Sequence, residues 1–363
     1  MSDTKTTNDS PSQPPPKRIG FWKRLVFSFV PLLVVVLIAE FATQLSRGEV
    51  FANYRLRRVE LLKRGLPGEK NEALGYSPIP GFSGRDNQWE TEVTIDADGF
   101  RTNGPGERPD GRLILTTGDS FTFGDEVSDH ETWPANLEDR LEQPVLNGGV
   151  FGYSLGQAIL RAEMMLDDHP DSEWLIVSLI EHDIARCEYS RHYADKPWFD
   201  LIDGKLVLQP NTAAENPPTE EELASKRWRD RLGHSALLDA LFAHGTASMQ
   251  KWWFLADKDL RAHPEGTGRV LAPLLADRIQ EKCDATDTRL MFVLQGRHLG
   301  EDARTLLDHL AARGIPALDL VTPYLAAREQ DPDLEDRYYN SHMTAEGNAW
   351  VAERVAAFLH AQD

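Results

Sequence analysis

The chain predicts an α/β fold: a mainly parallel sheet held between two helical layers, preceded by a membrane-spanning helix. Three observations carry this. Short β-rich apolar runs alternate with helical stretches from about residue 111 to the carboxyl terminus. One such run ends in a serine on a glycine turn, Gly118-Asp119-Ser120. A nearly unbroken apolar stretch lies close to the amino terminus. Alternating strands and helices build parallel sheets, because each crossover helix returns the chain to the same sheet edge and covers a face.

The elements follow in order. Ser2 to Pro16 is polar and rich in Ser, Thr and Pro. It has too little apolar surface to fold, so residues 1–20 are expected to be a disordered cytoplasmic tail. Lys17-Arg18 and Lys23-Arg24 precede an apolar run from Leu25 to Ala39 that extends to about Leu45, with Phe21 and Trp22 at its edge. Roughly 20 such residues suffice to cross a bilayer, which assigns a single-pass anchor to residues 21–45. Ala39-Glu-Phe-Ala42 is a poor cleavage site and favours an uncleaved anchor over a removed signal peptide. Arg47, Arg55, Arg57, Arg58, Lys63 and Arg64 offset the basic residues before the span, so charge alone does not orient it. A short disordered tail stays inside more readily than a large domain. The expectation is therefore a cell-membrane protein with an extracytoplasmic domain, periplasmic in a Gram-negative cell.

Residues 46–110 read as a stalk, helical from Arg47 to about Lys70, and a lead-in hairpin around Glu92-Val-Thr-Ile-Asp96. Beyond residue 111 the expected strands are Arg112 to Thr117, Pro144 to Asn147, Trp174 to Ile180, Arg289 to Gln295 and Ile315 to Leu320. The expected helices are Trp133 to Leu141, Leu155 to Asp167, Val270 to Lys282, Asp302 to Ala312 and Ala345 to Leu359. Between about 188 and 268 the rhythm breaks at Pro217-Pro218, a charged run and tryptophans 198, 228, 252 and 253, which reads as an inserted helical lid or wall.

A net charge of −19 disfavours nucleic acid, whose phosphates need basic patches. Cys187 and Cys283 are the two cysteines; an oxidising compartment would permit one bridge, and two separate buried thiols is the plainer alternative. No CxxC or HExxH spacing occurs, so neither metal nor cofactor is expected. The chemistry resides in Ser120, at a strand end where α/β sheets place active sites, and in the distant His342, a pairing that suggests acyl transfer.

Four spaced elements sharpen this: Gly118-Asp-Ser-Phe-Thr-Phe-Gly124, Asn147-Gly-Gly-Val-Phe-Gly-Tyr153, Ile180-Glu-His-Asp183 and Asn340-Ser-His-Met-Thr-Ala-Glu-Gly347. In that order they resemble the SGNH/GDSL hydrolase superfamily. The lead-in Ile95-Asp-Ala-Asp-Gly-Phe-Arg101 resembles its membrane-anchored members, and the likeness runs from about Leu74 to the carboxyl terminus. The resemblance implies a flavodoxin-like three-layer sandwich. It also implies Ser120 as nucleophile, its backbone N–H and that of Gly152 as oxyanion donors, and His342 as general base.

Two positions depart from the pattern. His182 stands where the family carries an oxyanion asparagine; its imidazole N–H offers a donor of different geometry. Tyr339 and Asn340 occupy the places, three and two before His342, where the family carries its acid. Asp336, Glu335 or Asp183 would have to supply a carboxylate, or a Ser–His dyad would work without one. The resemblance thus implies an esterase acting through an acyl-Ser120 intermediate on an ester or acylated glycan or lipid of the envelope. Its alternatives are an O-acyltransferase for polysaccharide, or a catalytically degenerate glycan-binding or assembly protein.

Overall fold

The computed structural model describes residues 20–85, 90–210 and 220–362. Most of the expected amino-terminal tail lies outside these residues. The first element, α1 (Phe21–Ser46), contains the expected anchor; its segment Phe27–Ser46 is long and apolar enough to cross a membrane.

Five parallel strands form the central sheet: β1 (Ile114–Thr117), β2 (Val145–Asn147), β3 (Trp174–Leu179), β4 (Arg289–Leu294) and β5 (Ala317–Asp319). Their spatial order is β2-β1-β3-β4-β5. This is the flavodoxin-like order, with its switch point between β1 and β3, where a crevice opens beyond the carboxyl ends. Every β3 residue is buried, as a strand covered on both faces requires.

The period of two divides the core into two layers. Ile114, Trp174, Ile176, Met291 and Val293 face one side, where α2 (Trp133–Leu141) packs on the carboxyl-terminal helix Ala345–His360. Leu115, Leu175, Val177, Leu290 and Phe292 face the other, covered by α3 (Leu155–Asp168), α4 (Gly268–Thr286) and α5 (Glu301–Arg313). The strands and helices read from the sequence thus recur within a few residues at each end. Arg101 joins the sheet edge through an antiparallel bridge to Asn147, so the lead-in segment docks beside β2.

Two expectations are corrected. The stalk is not a continuous helix: Tyr54–Val59 is helical, Leu61–Lys63 forms one tight turn, and Gly68–Asn71 is already a strand paired with Gly75–Pro78. Arg55 explains why. Its guanidinium is fully buried against Asp230, Asp257 and the Trp253 carbonyl, which pins this segment into the insertion rather than leaving it solvated.

The insertion is also not wholly helical. Tyr189–His192 pairs with Asp259–Arg261, and Trp198–Ile202 forms a hairpin with Lys205–Gln209. The hairpin turns at Asp203-Gly204, both at positive φ (51° and 75°), the conformation for which an Asp-Gly pair is suited. Helices Glu220–Leu232 and Ala236–Ala243 complete the insertion's helical part together with a short segment that ends in a wide turn at Lys251–Leu255. Cys187 and Cys283 are buried free thiols, so no bridge joins them.

Candidate active site

Strand β1 delivers Ser120 to the switch point. Gly118 is required there by close approach, since a Cβ would lie 2.4 Å from the Ser178 carbonyl oxygen of neighbouring β3. Asp119 then caps the short helix Ser120–Phe123 by accepting from the Phe121 N–H, and Gly124 ends it in the left-handed region. Ser120 therefore opens a helical turn, at the positive end of its peptide dipoles. Among the described residues, neither the Ser120 nor the Gly152 backbone N–H has an acceptor.

His342 approaches from the loop before the carboxyl-terminal helix, whose first turn is capped by Thr344. Its Nε2 lies 2.9 Å from Ser120 Oγ, and its ring packs against Phe121 at 5.3 Å between centroids. The expected serine and histidine are thus in hydrogen-bond contact although they lie far apart along the chain.

The carboxylate beside His342 is one that the sequence reading, which left the acid open, did not name. Glu126 Oε1 lies 3.2 Å from His342 Nδ1, on the loop that directly follows the nucleophile turn. Ser341 Oγ and the His342 backbone N–H also donate to this carboxylate. Burial would raise the Glu126 carboxyl, but these hydrogen bonds together hold it below the ordinary carboxylate range. Asp125 adds a second carboxylate, with Oδ2 3.7 Å from His342 Nε2.

None of the expected substitutes takes the role. Glu335 is engaged by Arg297 and Arg328 at 3.5 and 3.0 Å. Asp183 is held by Arg186 and accepts from the Ile180 N–H, which caps the turn after β3. Asp336 is exposed on the short helix Leu334–Tyr338. Tyr339 is buried against Phe121 and Tyr324, and the Asn340 backbone N–H donates to the His342 carbonyl.

Arg101 is a second residue whose role the sequence did not show. It is fully buried and donates to the carbonyls of Phe123, Gly124 and Val127 and to Asp129, on both sides of Asp125-Glu126. That clamp shapes the loop, where Glu126 sits at φ 74°, a conformation side chains rarely adopt. The sequence carried one signal for Glu126, a pair of carboxylates directly after the turn glycine Gly124.

A cavity of about 310 Å³ opens over Ser120 and His342. Its wall includes Ile180, His182, Arg186, Gln295, Arg297 and His298. His182 is exposed on this wall, while Gly152 lies on the loop after β2 and is not part of the lining. Arg186 links the two regions: its guanidinium contacts Asp119, Asp183 and the carbonyl of Tyr153, next to Gly152. Burial, with Asp119 close by, pushes the Asp183 carboxyl well up despite this partner.

No protein-family model matches the chain, and no curated protein matches it. Similar solved structures include a member of the lipolytic protein G-D-S-L family from Veillonella parvula, with 11% identity and a TM-score of 0.38, covering 68% of this chain and 97% of that one. They also include the psychrotrophic esterase EstA from Pseudoalteromonas, at 9% identity and a TM-score of 0.37, covering 69% and 98%. The acetyl xylan esterase Est2A from Butyrivibrio proteoclasticus is similar at 10% identity and a TM-score of 0.32, covering 73% of this chain and 66% of its own.

Proposed function

We propose that the chain is a membrane-anchored serine ester hydrolase. The observation that carries this is the relay Ser120–His342–Glu126, with 2.9 Å from serine to imidazole and 3.2 Å from imidazole to carboxylate. A hydroxyl, a base and a buried acid in that order have one chemical use in common, the activation of the hydroxyl as nucleophile.

In this reading Ser120 Oγ attacks the ester carbonyl as its proton passes to His342 Nε2. Glu126 holds the ring by Nδ1 and stabilises the imidazolium that forms. The carbonyl oxygen, now negative, is met by the Ser120 backbone N–H, with His182 as a further donor from the cavity wall; the Gly152 N–H, outside that wall, is a donor on the strength of the resemblance alone. The imidazolium returns its proton to the departing alcohol and leaves acyl-Ser120. Water, deprotonated by His342, then releases the acid and restores the serine.

The cavity supports a short acyl group. At about 310 Å³ it stands at the small end of ligand pockets. An acetyl-sized group would fit, with the alcohol portion, such as a glycan, extending outside. The anchor reading rests on the length and apolarity of α1.

The carboxylate at Glu126 supports catalysis over a degenerate binding role, whose main ground was a missing acid. Turnover of aryl acetate, butyrate and decanoate esters by the full chain in detergent tests the proposal. Hydrolysis that falls as the chain lengthens supports it; inertness toward all three, or a preference for decanoate, contradicts it.

A further inference from the structure

The helix Ala236–Ala243 is built inside out. Its sequence, Ala-Leu-Leu-Asp-Ala-Leu-Phe-Ala, holds one charged residue, and that residue, Asp239, is fully buried while Leu241 is 58% exposed and Leu237 and Leu238 are half-buried. Asp239 accepts from Arg47, Arg58 and the Trp253 indole N–H, so the charge is turned into the protein and the leucines outward. A helix in water does the reverse, since exposing leucine while burying a carboxylate forfeits hydrophobic gain and requires dedicated partners for the charge.

The anchor ends on this helix. Glu40 of α1 accepts from Ser235 Oγ and from the N–H groups of Ala236 and Leu237, so a residue of the anchor caps the first turn of the inverted helix. The apolar segment Phe27–Ser46, at about 1.5 Å per residue, covers about 30 Å, the thickness of a bilayer's hydrocarbon core, and Glu40 lies about 9 Å before its end. The capped helix therefore stands in the outer part of the hydrocarbon, next to the headgroups.

Its surroundings suit that depth. Phe242 packs at 5.1 Å from Trp252, which is 42% exposed, and indole rings favour the membrane interface. Phe51, whose N–H donates to Gln44 of α1, is 81% exposed. Beside this face Arg47, Arg57, Arg58 and Arg64 line a cavity of about 560 Å³ with only Glu49 and Asp239 as counter-charges, which places guanidinium groups at headgroup height.

We propose that the outward face of Ala236–Ala243, with Trp252 and Phe51, is seated in the phospholipid bilayer beside the anchor, so that the insertion is a membrane-embedded foot rather than a lid. The proposal rests on α1 spanning the membrane. The anchor and the foot are joined through Glu40 and Asp239, so the domain is held to the bilayer at two points instead of swinging on a flexible stalk.

The test uses the full chain in phospholipid vesicles with a nitroxide on a single introduced cysteine: Leu33→Cys in the anchor, Leu241→Cys on the foot, or Ala312→Cys on exposed α5. The native thiols are buried. Collision rates with dissolved oxygen, which concentrates in lipid, are compared with those of a water-soluble nickel chelate. The expected result is a deep label at Leu33, a shallow but lipid-exposed label at Leu241, and an aqueous one at Ala312. A Leu241 label as accessible to nickel as Ala312, with Leu33 still deep, overturns the foot and leaves the anchor standing. A Leu33 label in water overturns both. A Leu241 label shielded from both reagents means that a second copy or another protein covers the face, and also overturns the proposal.

Discussion

Glu126 and His342 meet at 3.2 Å although one lies on the loop after the first sheet strand and the other on the last loop of the chain. Glu126 and Ser120 therefore share one short loop, and only His342 comes from afar. A carboxylate at Glu126 can hold the imidazole tautomer and offset its charge without any acid near His342 in sequence.

Replacing that acid should be costly. Glu126→Gln, which keeps the shape and removes the charge, is expected to lower kcat toward a short-chain aryl ester by about 10² to 10⁴, since loss of the triad acid costs about 10⁴ in the best-studied serine hydrolases. Asp336→Asn and Asn340→Asp should each stay within a few-fold of wild type. Steady-state kinetics of the three variants decides this; a large loss in Asp336→Asn with Glu126→Gln unaffected would place the acid elsewhere.

Arg101 should act through the loop it clamps. Arg101→Met removes the donors to Phe123, Gly124 and Val127 and leaves Asp129 without its buried partner. Breaking a buried pair of this kind costs about 3–5 kcal/mol, so a fall in Tm of several degrees is expected. The rate of serine labelling by a phosphonate should fall by at least about tenfold at temperatures where the variant is still folded, because Glu126 loses its position.

His182 faces the cavity where an oxyanion donor is useful. His182→Asn should retain or raise kcat, and His182→Ala should lose about 10²-fold, the usual cost of one such donor. Equal kcat in all three proteins would exclude the role.

Lys196 provides a pH test of the fold beside the site. It is buried, donates to Ser154 Oγ, and burial pulls its ammonium down to about 8. The folded state thus binds the proton less tightly than the unfolded chain. The resulting penalty is fully present below pH 8 and is relieved as pH rises through the window from about 8 to the ordinary lysine value. Denaturant titrations at pH 7.5 and 10 should show wild type gaining on Lys196→Met by up to about 3 kcal/mol over that range. A constant difference would contradict it.

Much of this architecture was legible in the sequence because it is local. The apolar runs of β1, β3 and β4 and the periodic faces of the flanking helices need no distant partner to be recognised. Ser120 and His342 were legible because each sits at the boundary of an element, one after Gly118 and the other before the Thr344 cap. Glu126 was not, because its place depends on a backbone turn at positive φ and on Arg101, which reaches in from the preceding segment. The insertion was misread for a related reason. Arg55, Asp239 and Trp253 form a buried polar core there, and charges that a sequence assigns to solvent were drawn inward.

The most direct test of the central claim is covalent. The full chain in detergent is treated with a fluorescent alkyl phosphonate and the modified peptide is identified by mass spectrometry. The account predicts a single adduct on Ser120, absent in Ser120→Ala and formed at least about tenfold more slowly in His342→Ala, since the histidine base contributes about 10² to 10⁴. An adduct on another serine, or ester turnover undiminished in Ser120→Ala, would contradict it.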